Sequence, residues 1–205
     1  SSVGTSQVLA CPYTAEKAKL IIKEMADQLS MDLFEKKLAS DQLVLTVGYD
    51  IENLNSAEKR TAYKGTIKTD RYGRAVPNHA NGTISLSCFS SSTKKFVSSA
   101  TQLFDRIVDT SLLIRRIALV ANHVIYESDI PKNAVYEQIA LFTDYAAMKM
   151  EEEKKKAEHE KERKLQQALL DIKHKFGKNA ILKGISLQDG ATAKERNAQI
   201  GGHKA

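Results

Sequence analysis

The sequence has no tryptophan, three prolines and two cysteines in 205 residues. Cys11 and Cys88 lie far apart in apolar stretches, outside any CxxC pair and away from clustered histidines, which favours reduced core thiols and no structural metal. No apolar run approaches the roughly 18 residues that a membrane span needs. The first residues also lack the basic-then-apolar pattern of a secretion signal. We therefore expect a cytoplasmic protein without a membrane partner.

Catalytic signatures are also missing. We find no nucleophile elbow, no phosphate-cradling glycine loop and no HExxH helix, and the five histidines are scattered. Glu127 and Asp129 only end a strand, whereas a two-metal site needs several carboxylates that converge from rigid elements. We therefore expect no catalytic residue, no metal site, no cofactor and no small-molecule substrate in this chain.

The net charge of +6 is unevenly distributed. Residues 1–49 carry 5 basic and 6 acidic side chains, residues 50–130 carry 11 and 8, and residues 131–205 carry 15 and 11. The middle and the tail are therefore the basic parts. Such an excess permits a polyanionic partner without requiring one.

Two helices with one apolar face each are predicted. Thr14 can cap the first, which runs for about six turns with Glu16 near its positive end. Its apolar residues recur at helical spacing: Ala18, Ile22, Met25, Leu29 and Leu33. The second follows the cap candidates Ser91-Ser92-Thr93, with Phe96, Ala100, Leu103, Phe104 and Ile107 at the same spacing.

Four stretches have the character of strands: 7–11, 42–49, 83–89 and 113–125. In the third, Ile84, Leu86 and Cys88 are predicted to face inward, while Ser85 and Ser87 present hydroxyls outward. Between the second and third strands, residues 50–82 show no long apolar period and contain the turn candidate 70–73. We interpret them as an extended basic excursion that includes a hairpin.

The order strand, helix, strand, excursion, strand, helix, strand predicts an α+β fold. Its expected form is a two-layer βαββαβ sandwich, in which two helices cover one face of a four-stranded sheet and the other face stays open to a partner. We divide the chain into a folded domain (1–128), a linker with a short apolar cluster (129–145), a long charged helix (146–177) and a flexible, glycine-containing tail (178–205).

Several cations are candidates for phosphate contacts. Lys94 and Lys95 occupy the first turn of a predicted helix, where the macrodipole disfavours cations unless an anion binds there. Arg115 and Arg116 open the last strand. If the cations line the open sheet face and its rim, they follow a phosphate backbone without reading base sequence; unconnected surface charge is the alternative. The candidates in the excursion are Lys64, Lys68, Arg71 and Arg74.

The linker contains Gln138-Ile139-Ala140-Leu141-Phe142. A glutamine followed by two variable positions and Leu-Phe resembles the peptide by which bacterial polymerases dock on the sliding clamp. Leu141 and Phe142 would fill a pocket while the amide of Gln138 binds at its rim, with Ile139 between them. The alternative is that the two apolar residues pack onto the domain.

Three internal runs and the tail are similar to a known family. The runs 41–50, 82–86 with 91–93, and 114–117 look like the little finger domain of Y-family DNA polymerases of the UmuC/DinB class. The tail, from Gly177-Lys178-Asn179 to Gly201-Gly202-His203-Lys204-Ala205, resembles the ending of a UmuC-like group in Gram-positive bacteria. Together these runs extend over nearly the whole chain, and one departure is the long excursion 50–82.

The resemblance implies that the sheet lies across the DNA major groove. It would hold primer-template DNA through strand amides and basic side chains, and the sliding clamp would recruit the enzyme in error-prone lesion bypass. We take Ser85 and Ser87 with the cations as DNA-binding residues. The catalytic palm and its Mg²⁺ would lie upstream, so this fragment should not polymerise DNA alone. A protein-interaction adaptor without DNA binding is the alternative, and an independent enzyme is a third, for which no site is found.

Overall fold

The computed structural model of the chain describes residues 1–131, 145–200 and 203–204. The strands are β1 (Val3–Tyr13), β2 (Leu38–Tyr49), β3 (Ile67–Thr69), β4 (Ala75–Pro77), β5 (Ala80–Ser90), β6 (Ile114–Asn122), β7 (Ile125–Tyr126), β8 (Gln199–Ile200) and β9 (His203–Lys204). The helices are α1 (Ala15–Glu35), α2 (Ala57–Ala62), α3 (Thr93–Ile107), α4 (Tyr145–Phe176) and α5 (Ala193–Asn197). Short 3-10 helices occupy Ile51–Leu54, Glu127–Asp129 and Gly184–Leu187.

The main sheet has the strand order β1-β6-β2-β5, and all neighbours are antiparallel. The last long strand, β6, lies between the first two: Ile117 is opposite Gln7 of β1 and Val47 of β2. The short β7 pairs with the start of β2. This arrangement confirms the predicted βαββαβ unit and settles the position of the third strand of that unit, β5, at the edge beside β2.

Both amphipathic helices pack on one face of the sheet. The Thr14 hydroxyl caps α1 by accepting the Lys17 N–H at 3.4 Å, and Ser92 caps α3 by accepting the Lys95 N–H at 3.3 Å. The apolar positions predicted for α1 are all buried, and they meet Phe96 and Leu103 of α3 in one continuous core. Leu45 of β2 and Leu119 of β6 supply the sheet side of that core.

The prediction of core thiols is wrong, because Cys11 and Cys88 are both exposed. Each lies in an irregular part of an edge strand. On β1 the pairing jumps from Val8–Arg116 to Tyr13–Ile114, and on β5 it jumps from Ser85–Gln42 to Ser90–Ser40. Extra residues in a bulge break the alternation of side chains between the two faces. A prediction from the two-residue period of a strand is therefore wrong beyond the bulge. Leu86 is buried as predicted, but Cys88 is turned out.

The excursion contains the predicted hairpin, β3 and β4. Asp70 accepts the N–H groups of Tyr72 and Arg74, and Gly73 turns the chain with φ +79°. The sequence did not predict α2 or the 3-10 helix before it. Both begin at capping side chains, Ser56 and Asp50, and α2 buries no residue, so no apolar period marks it.

The long charged helix is present, and every residue from Met150 to Lys161 is exposed. Its second half packs on the domain, where Leu170 meets Met31 and Phe34 of α1.

The tail was predicted to be flexible, and within residues 178–200 the structure shows polar contacts between the tail and the domain. Arg196 donates to Thr5 at 3.1 Å, and the buried carboxylate of Glu24 accepts the Thr192 N–H at 2.9 Å and the Ala193 N–H at 3.2 Å. These contacts are polar and follow no periodic pattern of apolar residues. The packing of the tail on the domain could therefore not be predicted from the sequence.

Candidate nucleic-acid interface

The sheet face opposite α1 and α3 is open and carries small or uncharged side chains, which are half-buried or exposed. The paired parts of the four long strands place fourteen described residues on this face. None of these residues is acidic, and one is basic. They are Gly4, Ser6 and Val8; Gln42, Val44, Thr46 and Gly48; Asn81, Thr83 and Ser85; and Arg116, Ala118, Val120 and Asn122. An anion can therefore approach this face without meeting a carboxylate on it.

Cross-strand pairs order the polar side chains of this face. The Asn81 amide donates to Thr46 Oγ1 at 2.8 Å, and the Asn122 amide donates to Gln42 Oε1 at 3.1 Å. These four residues were not predicted as site residues. They could have been predicted from strand alternation, because the period that places Leu43, Leu45 and Val47 in the core places the residues between them, and their cross-strand partners, on the open face.

Arg116 stands at one end of the open face. It lies between Gly48 of β2 and Val8 of β1, and a Cβ on Gly48 would come within 3.3 Å of the Arg116 Cβ. The absence of a side chain on Gly48 therefore leaves room for the arginine, whose side chain is exposed. The neighbouring Arg115 is engaged differently: its Nη1 lies 3.7 Å from Oδ2 of the buried Asp50.

The excursion begins and ends at this same end of the sheet and carries the four cations that were predicted there as site residues. Arg71 and Arg74 place their guanidinium carbons 4.6 and 5.0 Å from the centre of the Tyr72 ring. Arg74 also pairs with Asp70 at 2.7 Å, and its hydrogen bond holds the pKa of Asp70 below the ordinary value. Lys64 and Lys68 are exposed. Tyr72, 65% exposed, was not predicted as part of the site.

Lys94 and Lys95 lie at the opposite end, in the first turn of α3. Their position follows from Ser90, which pairs with Ser40 near the start of β2, whereas Arg116 is opposite Gly48 near its end. Ser40 and Gly48 are eight residues apart along β2, which corresponds to roughly 26 Å at the usual rise per residue of a strand. The structure thus places Arg115, Arg116 and the two ends of the excursion at one end of the sheet, and Lys94 and Lys95 at the other.

The two predicted serines flank the bulge of β5. Ser85 Oγ accepts the Ser87 N–H at 3.2 Å, and Ser87 adopts a left-handed backbone with φ +67°. Both residues are exposed, and Lys95 Nζ donates to the Cys88 sulfur at 2.9 Å beside them. The bulge and the first turn of α3 therefore form one exposed, basic corner of the domain.

A carboxylate of α4 already lies at the start of α3. Glu162 accepts the Lys94 N–H at 3.0 Å and the Ser92 hydroxyl at 2.8 Å. The predicted affinity of this helix end for an anion is thus met by the chain itself. Glu162 was not predicted as a site residue, because a glutamate within a Glu- and Lys-rich stretch has the pattern of a solvated face.

The clamp-binding prediction at Gln138, Ile139, Leu141 and Phe142 lies outside the described residues. Within the described part of the chain, no three His, Cys, Asp or Glu side chains are grouped as a metal ion would require. Glu127 is bound by Arg163 in a two-armed ion pair at 2.8 and 2.9 Å. Over the same residues no helix is long and apolar enough to cross a membrane.

Comparison with known proteins identifies the family. The model of the impB/mucB/samB family C-terminal domain matches residues 1–141, most of the chain, and the chain belongs to this family. It is a C-terminal domain of the Y-family DNA polymerases, which are nucleotidyltransferases. No curated protein matches it. Among solved structures it is similar to the "Complex of beta-clamp processivity factor and little finger domain of PolIV", with 10% identity and a TM-score of 0.39 over 70% of this chain and 100% of that chain.

Proposed function

We propose that this domain holds primer-template DNA for an error-prone, lesion-bypass polymerase through contacts to the sugar-phosphate backbone that do not read base sequence. The observation that carries the proposal is the open sheet face, which has no acidic side chain among its described residues and has cations at both ends. Lys and Arg at such positions neutralise phosphates, and the small residues between them let a backbone approach closely.

The spacing of the two basic ends supports a position across a groove. They are roughly 26 Å apart along the strands, whereas the major groove is about 12 Å wide. The basic ends are farther apart than the groove is wide, and we propose that the sheet spans the groove while cations at its two ends reach the phosphates that flank it. The polar pairs between them, such as Asn81 with Thr46, face the groove itself.

The test is a titration of the chain with primer-template DNA at two salt concentrations. Binding should weaken steeply with salt, because each neutralised phosphate contributes a slope of about −0.9 in log K against log salt. Arg116→Glu and Lys95→Glu should each weaken binding to all sequences alike and lower the slope by about one. Lys156→Glu makes the same charge change on the exposed half of α4 and should have a much smaller effect.

Affinity that is indifferent to salt contradicts phosphate contacts. Equal losses in Arg116→Glu and Lys156→Glu contradict the assignment of the open face, since only the net charge would then matter. A chain that shifts no DNA at either salt concentration favours the protein-interaction adaptor instead.

We also propose that Gln138, Ile139, Leu141 and Phe142 dock on the bacterial sliding clamp. Two adjacent apolar side chains next to an oriented amide suit a pocket with a polar rim. Joint replacement of Leu141 and Phe142 by Ala should abolish co-elution with the clamp, while Met150→Ala, which removes an exposed apolar side chain from α4, should leave it intact. Undiminished co-elution of the double variant removes the motif from the proposal.

A further inference from the structure

The second half of α4 is docked on the domain by a set of specific polar contacts. Glu162 lies at the start of α3, and Arg163 binds Glu127 while its guanidinium carbon lies 4.9 Å from the centre of the Phe34 ring. Gln166 is 3% exposed, and its amide donates to the Ser91 carbonyl at 2.9 Å and to Thr93 Oγ1 at 3.1 Å. The contacts therefore converge on the short junction between β5 and α3.

That junction directly precedes Lys94 and Lys95, the cations of one basic end of the proposed DNA surface. Glu158, Lys161 and Glu162 of α4 line a groove beside Lys94, which Lys183 also lines. The carboxylate that α4 places on a donor at the start of α3 is that of Glu162, which accepts the Lys94 N–H at 3.0 Å. The Lys94 N–H already donates to Glu162, so a DNA phosphate would compete with that carboxylate for the same donor. The negative charges of the carboxylate and the phosphate also repel each other at this helix end.

The docked segment of α4 buries few apolar side chains. Every side chain from Met150 to Lys161 is exposed, so the described part of the first half of the helix buries no side chain against the domain. The apolar part of the docked segment is small: Leu170 with Leu169 against Met31 and Phe34. Leu165 remains 59% exposed. A helix held by a few polar contacts can leave without exposing a large core.

We propose that α4 is a built-in competitor of DNA: in the free protein residues 162–170 lie against the start of α3, beside Lys94 at one basic end of the proposed DNA surface, and they leave it when the DNA backbone binds there. This inference rests on the proposed DNA-binding function. It adds that the affinity of the domain for DNA is set in part by its own helix, through the carboxylate of Glu162.

The test compares Glu162→Gln with Glu160→Gln in the whole chain. Both remove one negative charge from α4, but Glu160 lies on the solvent side, where it pairs with Lys164 at 2.9 Å. Glu162→Gln should bind primer-template DNA about two- to fivefold more tightly than Glu160→Gln at low salt, the range expected for a charge at a helix end. Equal or weaker binding by Glu162→Gln overturns the proposal.

A second measurement does not depend on a substitution. In hydrogen exchange of the unaltered chain, DNA should speed the exchange of amides in 162–170, because a detached helix frays, while β2 and β6 stay protected. Unchanged or slower exchange in 162–170 in the DNA complex overturns the competition. If the unaltered chain does not bind DNA at all, the proposed function itself fails, and that outcome is distinct from both of these.

Discussion

Glu127 and Arg163 form the ion pair that joins α4 to the end of β7. Burial raises the pKa of Glu127, but the Arg163 guanidinium and the Ser91 hydroxyl outweigh it and bring the pKa below its ordinary value of 4.5. A carboxyl with a depressed folded-state pKa stabilises the fold above its unfolded pKa and loses that effect as the pH falls through the folded one. Glu127→Gln should therefore lower Tm near neutral pH, and the difference should vanish as the pH falls below 4.5. A constant difference across that range would contradict the ion pair.

Single residues were predictable where the backbone is regular. Thr14 and Ser92 cap their helices as predicted, because a cap depends on a few neighbouring residues. Cys88 was misplaced because a bulge precedes it, and nothing in the alternation of Ile84 and Leu86 announces the extra residues. Glu162 escaped prediction because its function depends on a partner that lies 68 residues away along the chain.

At the scale of elements, the docking of α4 depends on a buried amide. Gln166→Ala removes two hydrogen bonds and leaves the Ser91 carbonyl without that donor, so the free energy of unfolding should fall by about 1–3 kcal/mol. Gln167→Ala is the matched control: Gln167 is exposed, bonds only to Asp171 of its own helix, and should change the value by less than about 0.5 kcal/mol. Denaturant titration measures both, and equal losses would mean that α4 is not held through Gln166.

Elements with a long apolar period were predictable, and short or polar ones were not. α1, α3 and the paired parts of β2 and β6 follow from periods of 3.6 and 2, since each buries one side against the same core. α2 buries nothing and left no period. The packing of α4 on the domain depends on charged and amide side chains, whose sequence pattern is that of a solvated face.

At the scale of the whole molecule, the described residues of the tail and of α4 pack against the helical side of the sheet and leave the open face free. Thr5 and Gln7, which hold Arg196 and Thr192, alternate along β1 with Gly4 and Ser6 of the open face. The position of the candidate DNA surface was thus predictable from strand alternation. The separation of its cations into two basic ends could not be predicted, because that separation depends on the order of the strands in the sheet.

The central place of β6 has a consequence for synthesis of the protein. Val3 of β1 pairs with Ala121, and β6 is the neighbour that joins β1 to the sheet, so β1 has no strand to pair with until almost the whole domain has left the ribosome. Closing so long a loop is slow, and the waiting strand is prone to aggregation. A nascent chain that stalls before residue 114 should therefore remain unfolded and depend on chaperones.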